Sequence, residues 1–360
     1  MASTIVGNTN LTLLDRAKRT EDGKIARIVE MMNRVNHMLT DAVSVEGNLA
    51  TGHVTTVRDG LPSVAWRQIN QGVIPSKSTA HQITLTAGLL EAMGQVDEEL
   101  VEIQSDGMAF RLSENAPFIE SIAQTLASTL LYGDTRVNPE RFTGLSTFYS
   151  ALNANFNADQ SLVNPDASKP DSGYNVIDAS EGGLYGTPAN GNNTSLWLVA
   201  WGENGIHTFF PKGTKAGIAH EDKGRFLVND GQGTGAQFWA WIDQYKARMG
   251  LAVRDWRQAV RIANIDTTAM ATAGSLNDSS ANLIKQAIVA TNRIWNMSEG
   301  RVAWYCNRAI KSGLDIQAMN KSNALVKIDE EVENGEPITR LLGIPVRRVD
   351  ALLNTEAQVS

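Results

Sequence analysis

The 360-residue chain has a single cysteine, Cys306. One thiol excludes an intrachain disulfide and any metal site built from paired thiolates, and it fits a reducing compartment. Long apolar runs are missing too. Nowhere do about eighteen apolar residues stand together, and the amino-terminal MASTIVGNTNLTLLDRAKRTEDG lacks an apolar core before a small-residue cleavage site, so neither a membrane span nor a secretory leader is expected. Positive charge is scarce: 32 Lys and Arg face 39 Asp and Glu, a net charge of -7. That balance argues against a groove that grips nucleic acid by displacing phosphate counterions. The five histidines, His37, His53, His81, His207 and His220, never recur at helical metal-ligand spacing, and no HExxH or carboxylate-rich loop accompanies them. Gly213, Lys215 and Gly217 do not form a phosphate loop, the GTGA run at Gly233 misses the dinucleotide spacing, and no GxSxG elbow exists. No cofactor, no metal and no catalytic residue is expected.

What is present is an ordinary folded composition, 42% hydrophobic and 20% charged, in a chain long enough for two subdomains. The clearest element runs from Ser113 to Gly133. Phe118, Ile122, Leu126 and Leu130 form one apolar stripe, with Ser113 or Asn115 as cap, Pro117 in the first turn and Gly133 as a left-handed stop. Leu-Tyr-Gly-Asp closes this helix, and Phe142-Thr143-Gly144-Leu145 follows within a dozen residues.

Before it, Leu11 to Arg19 and Lys24 to Leu39 have helical periodicity and an excess of basic residues. Thr51 to Thr86 switches to short strands, HVTTVR, SVAWRQI and HQITLT, with too few large apolar residues to bury themselves, so this ribbon must lie on something else. Residues 87 to 112 read as a connector with one short helix or strand. Its acids, Glu91, Asp97, Glu98, Glu99, Glu102 and Asp106, face only Arg111 and suit a solvated or subunit-facing surface better than an acid/base pair.

After the helix, residues 146 to 235 are rich in Asn, Gly, Ser and Asp. SLWLVAWG and IHTFFP read as a β-hairpin across Glu203-Asn204-Gly205. Residues 236 to 265 read as two strands around Gly250, the second alternating from Trp256 to Ile262, with core aromatics on one face and interface arginines on the other. A helix from Asn277 to Trp295, a strand from Arg301 to Cys306 and a helix from Asn307 to Met319 follow. Cys306 itself reads as a small buried hydrophobe. A hairpin then turns at Asn334-Gly335, and GIPVRRVDALL supplies a last strand.

These landmarks, in this order, are the ribbon, the LLYGD-to-FTGL exit, WGENGIHTFFPKG, VRIANID and GIPVRRVDALL. Together they resemble the major capsid proteins of tailed bacteriophages, with the α+β capsid fold of the Hong Kong phage type. The resemblance implies an amino-terminal arm (1–48), an extended β-hairpin loop (49–87), a peripheral domain with a spine helix (88–145), a central domain (146–320) and return strands (321–360). It implies a shell protein that self-assembles as pentamers and hexamers around double-stranded DNA, in a virion built in the host cytoplasm. The implied partners are other copies of itself, a separate scaffolding protein, a portal protein and a possible cement protein, without a membrane. Expected subunit-contact residues are Trp66, Arg67 and Lys77 on the ribbon, Arg27 and Arg34 on the basic arm, and Glu98, Glu99, Glu330 and Glu331 on acidic surfaces. Some family members form a covalent link through a lysine near this loop tip, and Lys77 lies in the corresponding segment. Two other readings stand beside this one: an encapsulin-like shell around a protein cargo, and a carbohydrate-active enzyme or glycan-binding module using the eight tryptophans.

Overall fold

A computed structural model of the chain describes residues 20–21, 24–25, 36–103, 106–152, 172–180, 192–229, 235–267, 283–318, 326–333 and 336–359. The chain divides into two compact units: Met1–Arg34, Leu89–Leu126 and Lys215–Arg248 form the first; Val35–Gly88, Ala127–Thr214 and Met249–Ser360 form the second. The expected helix at 11–19 lies outside the described residues. So do Arg27, Arg34 and most of the expected helix from Lys24; its described carboxy-terminal end enters α1 (His37–Asp41). Thr20–Glu21 (β1) instead pairs antiparallel with Lys24–Ile25 (β2).

The first unit is a helix on a sheet. Where one short element was expected, residues 87–112 hold β6 (Gly88–Asp97), α2 (Glu98–Glu102) and the first turns of α3 (Gly107–Tyr132). β10 (Ile218–Asn229) pairs antiparallel with β11 (Gln237–Val253), with a bulge between Asp222 and Gly224, and β6 also pairs with β11. Leu90 and Ala92 of β6, Tyr245 and Ala247 of β11 and Ile218 of β10 meet Phe118, Ile122 and Leu126 of α3. This is the period-2 face of a sheet closing on the 3.6-period stripe of a helix.

Helix α3 begins six residues before the expected cap. Asp106 Oδ1 accepts the Ala109 N–H at 3.0 Å, while Ser113 and Asn115 lie inside the helix and Pro117 sits in its interior. An interior proline forfeits a hydrogen bond and costs ~3 kcal/mol. Burial of Phe110 against Val96 and Leu100, which the stripe from Phe118 onward did not reveal, offsets it.

The second unit is built around β8 (Asn193–Trp201), buried along its whole length. It pairs antiparallel with β12 (Ala259–Asp266) and with β13 (Arg301–Cys306); β7 (Val176–Asp178) runs parallel to β12. β16 (Ile344–Arg348) lies parallel to β13, and β14 (Val326–Glu333), β15 (Glu336–Leu341) and β16 follow as antiparallel neighbours, matching the expected hairpin and final strand. Helices α4 (Leu283–Arg293) and α5 (Arg308–Ala318) cover this sheet through Leu283, Ala287, Ala290, Ile310 and Leu314. Trp304 and Cys306 are fully buried in the same cluster, and burial pushes the Cys306 thiol up to about 12, the inert small hydrophobe expected.

Three expectations fail here for one reason: local alternation does not say which neighbour a strand finds. β8 and β9 (Ile206–Phe210) are not a hairpin. They meet only at Trp201 and Ile206, after which β9 pairs with β3 (Ser44–Glu46) and with Gly250–Val253 of β11. β11 runs unbroken through Gly250, where a Cβ would lie 2.4 Å from the Phe209 ring. The chain breaks instead at Trp256–Gln258, a 3-10 turn whose Arg257 N–H donates to Asp255 Oδ1, so Trp256 is outside the strand.

Gly133 is not left-handed. It is needed because a Cβ there would lie 2.1 Å from the Phe142 carbonyl oxygen and 2.7 Å from that of Thr129. Gly144 N–H donates to the Gly133 carbonyl at 2.8 Å, which locks the LLYGD and FTGL motifs backbone to backbone. Among the described residues, β4 (Gly52–Gly60) and β5 (Thr79–Thr86) pair only with each other, as a ribbon. The expected strand SVAWRQI is absent: residues 61–78 carry no strand, and a turn closes at Asn70 (φ 71°) with Gln71 N–H donating to Gln68 O.

Candidate functional site: the assembly surfaces

Alternating apolar residues on the ribbon would ordinarily find a core, yet its tip has none. Leu61, Val64, Ile69 and Ile74 are more than four-fifths exposed, and Trp66 is fully exposed. Polar contacts tie the loop to itself: Ser76 Oγ donates to the Ser63 carbonyl at 2.8 Å, and an Arg67 guanidinium N–H reaches the Gln71 carbonyl at 3.4 Å. Residues 61–78 carry Arg67 and Lys77 and no acid, so the tip is apolar and basic. Trp66, Arg67 and Lys77 therefore share one exposed segment.

At the ribbon's root, Asn48 brackets Val54, accepting its N–H at 2.7 Å and donating to its carbonyl at 2.8 Å. His53 lies against Phe209, ring centres 5.5 Å apart.

The acidic run is divided by the structure. Glu98 is ion-paired with Arg225 and three-quarters or more covered, while Glu99 is exposed beside the Asp97 side chain that caps its N–H. Glu91 faces Lys246 at 3.8 Å. Arg111 has its partners elsewhere: buried, it binds both oxygens of Asp243 at 3.0 and 3.1 Å, approaches Asp222 at 3.2 Å and lies 4.5 Å over the Trp241 ring. His220 Nε2 adds a 2.8 Å contact to Asp243. Burial raises the Asp243 carboxyl, but hydrogen bonds from Asn115, His220 and Arg111 outweigh it and hold the group below its usual range. No spacing in the sequence links positions 111, 220 and 243. Glu330 and Glu331 lie on β14.

The reading of core aromatics opposite interface arginines needs correcting. Trp239 is 55% exposed, and Arg261 is buried. Arg261 donates to Glu356 at 2.9 Å, to Ser195 Oγ at 3.0 Å and to the Tyr149 carbonyl at 2.9 Å. The Tyr132 and Ser195 hydroxyls also donate to Glu356, and Glu356 N–H donates to the Asn193 carbonyl, so the carboxy-terminal segment is bolted onto β8 and β12. Burial first, and the Glu356 charge second, push the Tyr132 hydroxyl well above its ordinary range.

On the opposite flank Tyr305 donates to Asp41 at 2.7 Å and accepts from Trp201 Nε1 at 2.9 Å, with Arg347 at 3.3 Å from the same carboxylate. Both clusters are saturated fasteners. Among the described residues, no three His, Cys, Asp or Glu side chains converge to hold a metal ion, and no helix is long and apolar enough to cross a membrane.

The molecule thus places its charge clusters inside as structural ties and its bare apolar segment outside. No curated protein matches the sequence. Among solved structures, a capsid chain of bacteriophage Epsilon15 is 34% identical, with 99% of each chain covered and a TM-score of 0.74, which carries the Hong Kong phage type of fold. The bacteriophage JBD30 capsid (10% identity, 96% of each chain, TM-score 0.47) and the SrpI encapsulin of Synechococcus elongatus (11% identity, 71% of this chain and 97% of that one, TM-score 0.40) are more distant. The family model described as major capsid protein GP7 matches residues 20–360, and the chain belongs to that family of phage capsid proteins, structural components of the virion shell.

Proposed function

We propose that copies of this chain assemble as pentamers and hexamers into a closed icosahedral shell around double-stranded DNA. The observation that carries the reading is the ribbon: its apolar tip is bare in a single chain, and a second copy is what a shell supplies to cover it. Burying an aromatic anchor such as Trp66 in a neighbour's pocket is the pattern by which a few residues dominate an interface.

Arg67 and Lys77 flank that anchor and steer it toward acidic surface. Glu99 and the strand bearing Glu330 and Glu331 are the acidic surfaces assigned to neighbouring chains, and the basic arm with Arg27 and Arg34 is the other cationic partner. Glu98 already has Arg225 and contributes to such a contact only by exchanging that partner. The division into arm (1–48), extended loop (49–87), peripheral domain (88–145 with 321–360) and central domain (146–320) belongs to the same proposal. A scaffolding protein, a portal at one vertex and a cement protein complete the assembly. With a net charge of -7, the shell contains its DNA by closure and not by grip.

Electron microscopy of the overexpressed chain, alone and with a scaffold candidate, tests this. Closed polyhedra or rings of five and six are expected, and monomers or dimers under every condition would refute it. Nuclease-protected duplex DNA in particles from an infected cell, as opposed to a protein cargo, separates a phage head from a protein compartment.

A further inference from the structure

Within the second unit, the root of the ribbon meets β9 through a histidine pair. His53 on β4 stands edge-on to His207 on β9, ring centres 5.7 Å apart and planes at 78°, with the Phe209 ring on its other flank. His53 Nδ1 faces the Asn48 N–H at 3.4 Å, so that nitrogen acts as acceptor and the ring is seated in its neutral form. His207 is 1% exposed, and among the described residues neither ring nitrogen makes a well-formed hydrogen bond, the Gly202 backbone being the one group that favours its proton. A second proton on such a ring is poorly stabilised.

The charged group acting on both rings is Arg254, directly after β11, which adds a third cation to the same place when the rings protonate. The acids of the surrounding elements are engaged or turned elsewhere. Glu46 of β3 accepts the Gly213 N–H at 2.9 Å, Asp255 is paired with Arg257 at 2.7 Å, and Glu203 meets Arg254 through its backbone carbonyl.

We propose that His53 and His207 form an acid-sensitive hinge: neutral, they seat the ribbon's root on β9, and protonated, they repel each other and Arg254 and release it. The direction follows from linkage. Burial first, then the neighbouring His53 and Arg254, lowers His207 from 6.5 to about 4, against a weaker opposing pull from the Gly202 backbone. Burial and Arg254 lower His53 as well. A released root binds more protons than a seated one, so seating is fully favoured above pH 6.5 and weakens as pH falls toward about 4. The strands above the root, paired only with each other among the described residues, would then swing as one piece.

Hydrogen–deuterium exchange of the purified full chain, whatever its state of assembly, tests this at pH 7.5 and pH 4, corrected for intrinsic exchange. Peptides over residues 52–57 and 83–86 should lose protection about tenfold or more at pH 4, because a ring that holds its proton more weakly when seated than when released tips the balance toward release by the ratio of the two affinities. Residues 196–200 should stay protected at both values. His53→Phe keeps a ring against Phe209 but removes one of the two protons and the repulsion between the rings, so its root should lose clearly less protection at pH 4 than the wild type's. Equal protection of the wild-type root at both values overturns the hinge, and so does a His53→Phe root that opens at pH 4 as the wild type does. Neither readout depends on shell formation, so failure here is distinct from failure of the assembly reading.

Discussion

Residues 193–201 and the ribbon tip at 61–78 have similar ingredients, Trp, Val, Leu or Ile among small polar residues, and opposite fates. β8 is buried at every position, with Trp197 and Trp201 at 1% and 0% exposure. The tip is exposed at every position, with Trp66 bare. β8 has β12 and β13 as neighbours and helices over its face, whereas the tip has no neighbour in the described chain. Apolar content alone therefore does not mark the core. One stretch stabilises the subunit; the other holds its burial in reserve for a partner.

The sharpest way to break this contrast is to compare two tryptophans. Trp304→Ala, which empties a fully buried site and removes the indole N–H donor to the Leu341 carbonyl, should lower unfolding stability by about 3–5 kcal/mol in urea denaturation. Glu356→Ala should come close to it, about 3–5 kcal/mol, because it strands the buried Arg261 charge. Replacing both partners by apolar residues (Arg261→Met with Glu356→Leu) should restore part of that loss. A double variant no better than Glu356→Ala would mean the tie acts through the Tyr132 and Ser195 hydroxyls and not through charge.

Gly133→Ala drives a methyl into the Phe142 carbonyl and should cost about 1–3 kcal/mol in the same denaturation, testing whether the LLYGD–FTGL joint is a packing constraint. At the small end for the subunit, Trp66→Ala should shift its stability by less than ~0.5 kcal/mol. The same change should weaken assembly by ~2 kcal/mol per contact, about thirtyfold in the light-scattering threshold for particle formation. A melting temperature that falls with Trp66→Ala as it does with Trp304→Ala would show the tip packed on its own chain and erase the contrast.

Much of the fold was legible from period and landmark. The helical stripe at Phe118, Ile122, Leu126 and Leu130, the strand at Arg301–Cys306 and the hairpin around Asn334-Gly335 all lie where their patterns place them, because each signal is local. The misses share a cause. The start of α3 depends on Phe110 reaching back across a turn to Val96 and Leu100, and the parting of β8 from β9 depends on β3 and the end of β11, partners that no pattern within the element itself announces. The candidate site was legible as a segment, since a ribbon poor in large apolar residues has to lie on something else, but not as a surface. That Glu98 is already paired with Arg225 and that Arg111 has Asp243 are decisions of the folded chain.

The sequence by itself determined the helical stripe from Phe118 to Leu130, the strand Arg301–Cys306 and the ordered motifs that mark a phage capsid chain. Only the tertiary structure decided that Gly133 and Gly144 are there for close approach, that Arg261 and Glu356 bolt the carboxy-terminal segment inside, and that His53 and His207, far apart in the chain, stand ring against ring. Periodicity reports which face of an element is apolar. What covers that face is settled by contacts between distant residues, and their energies exist only once the chain has folded.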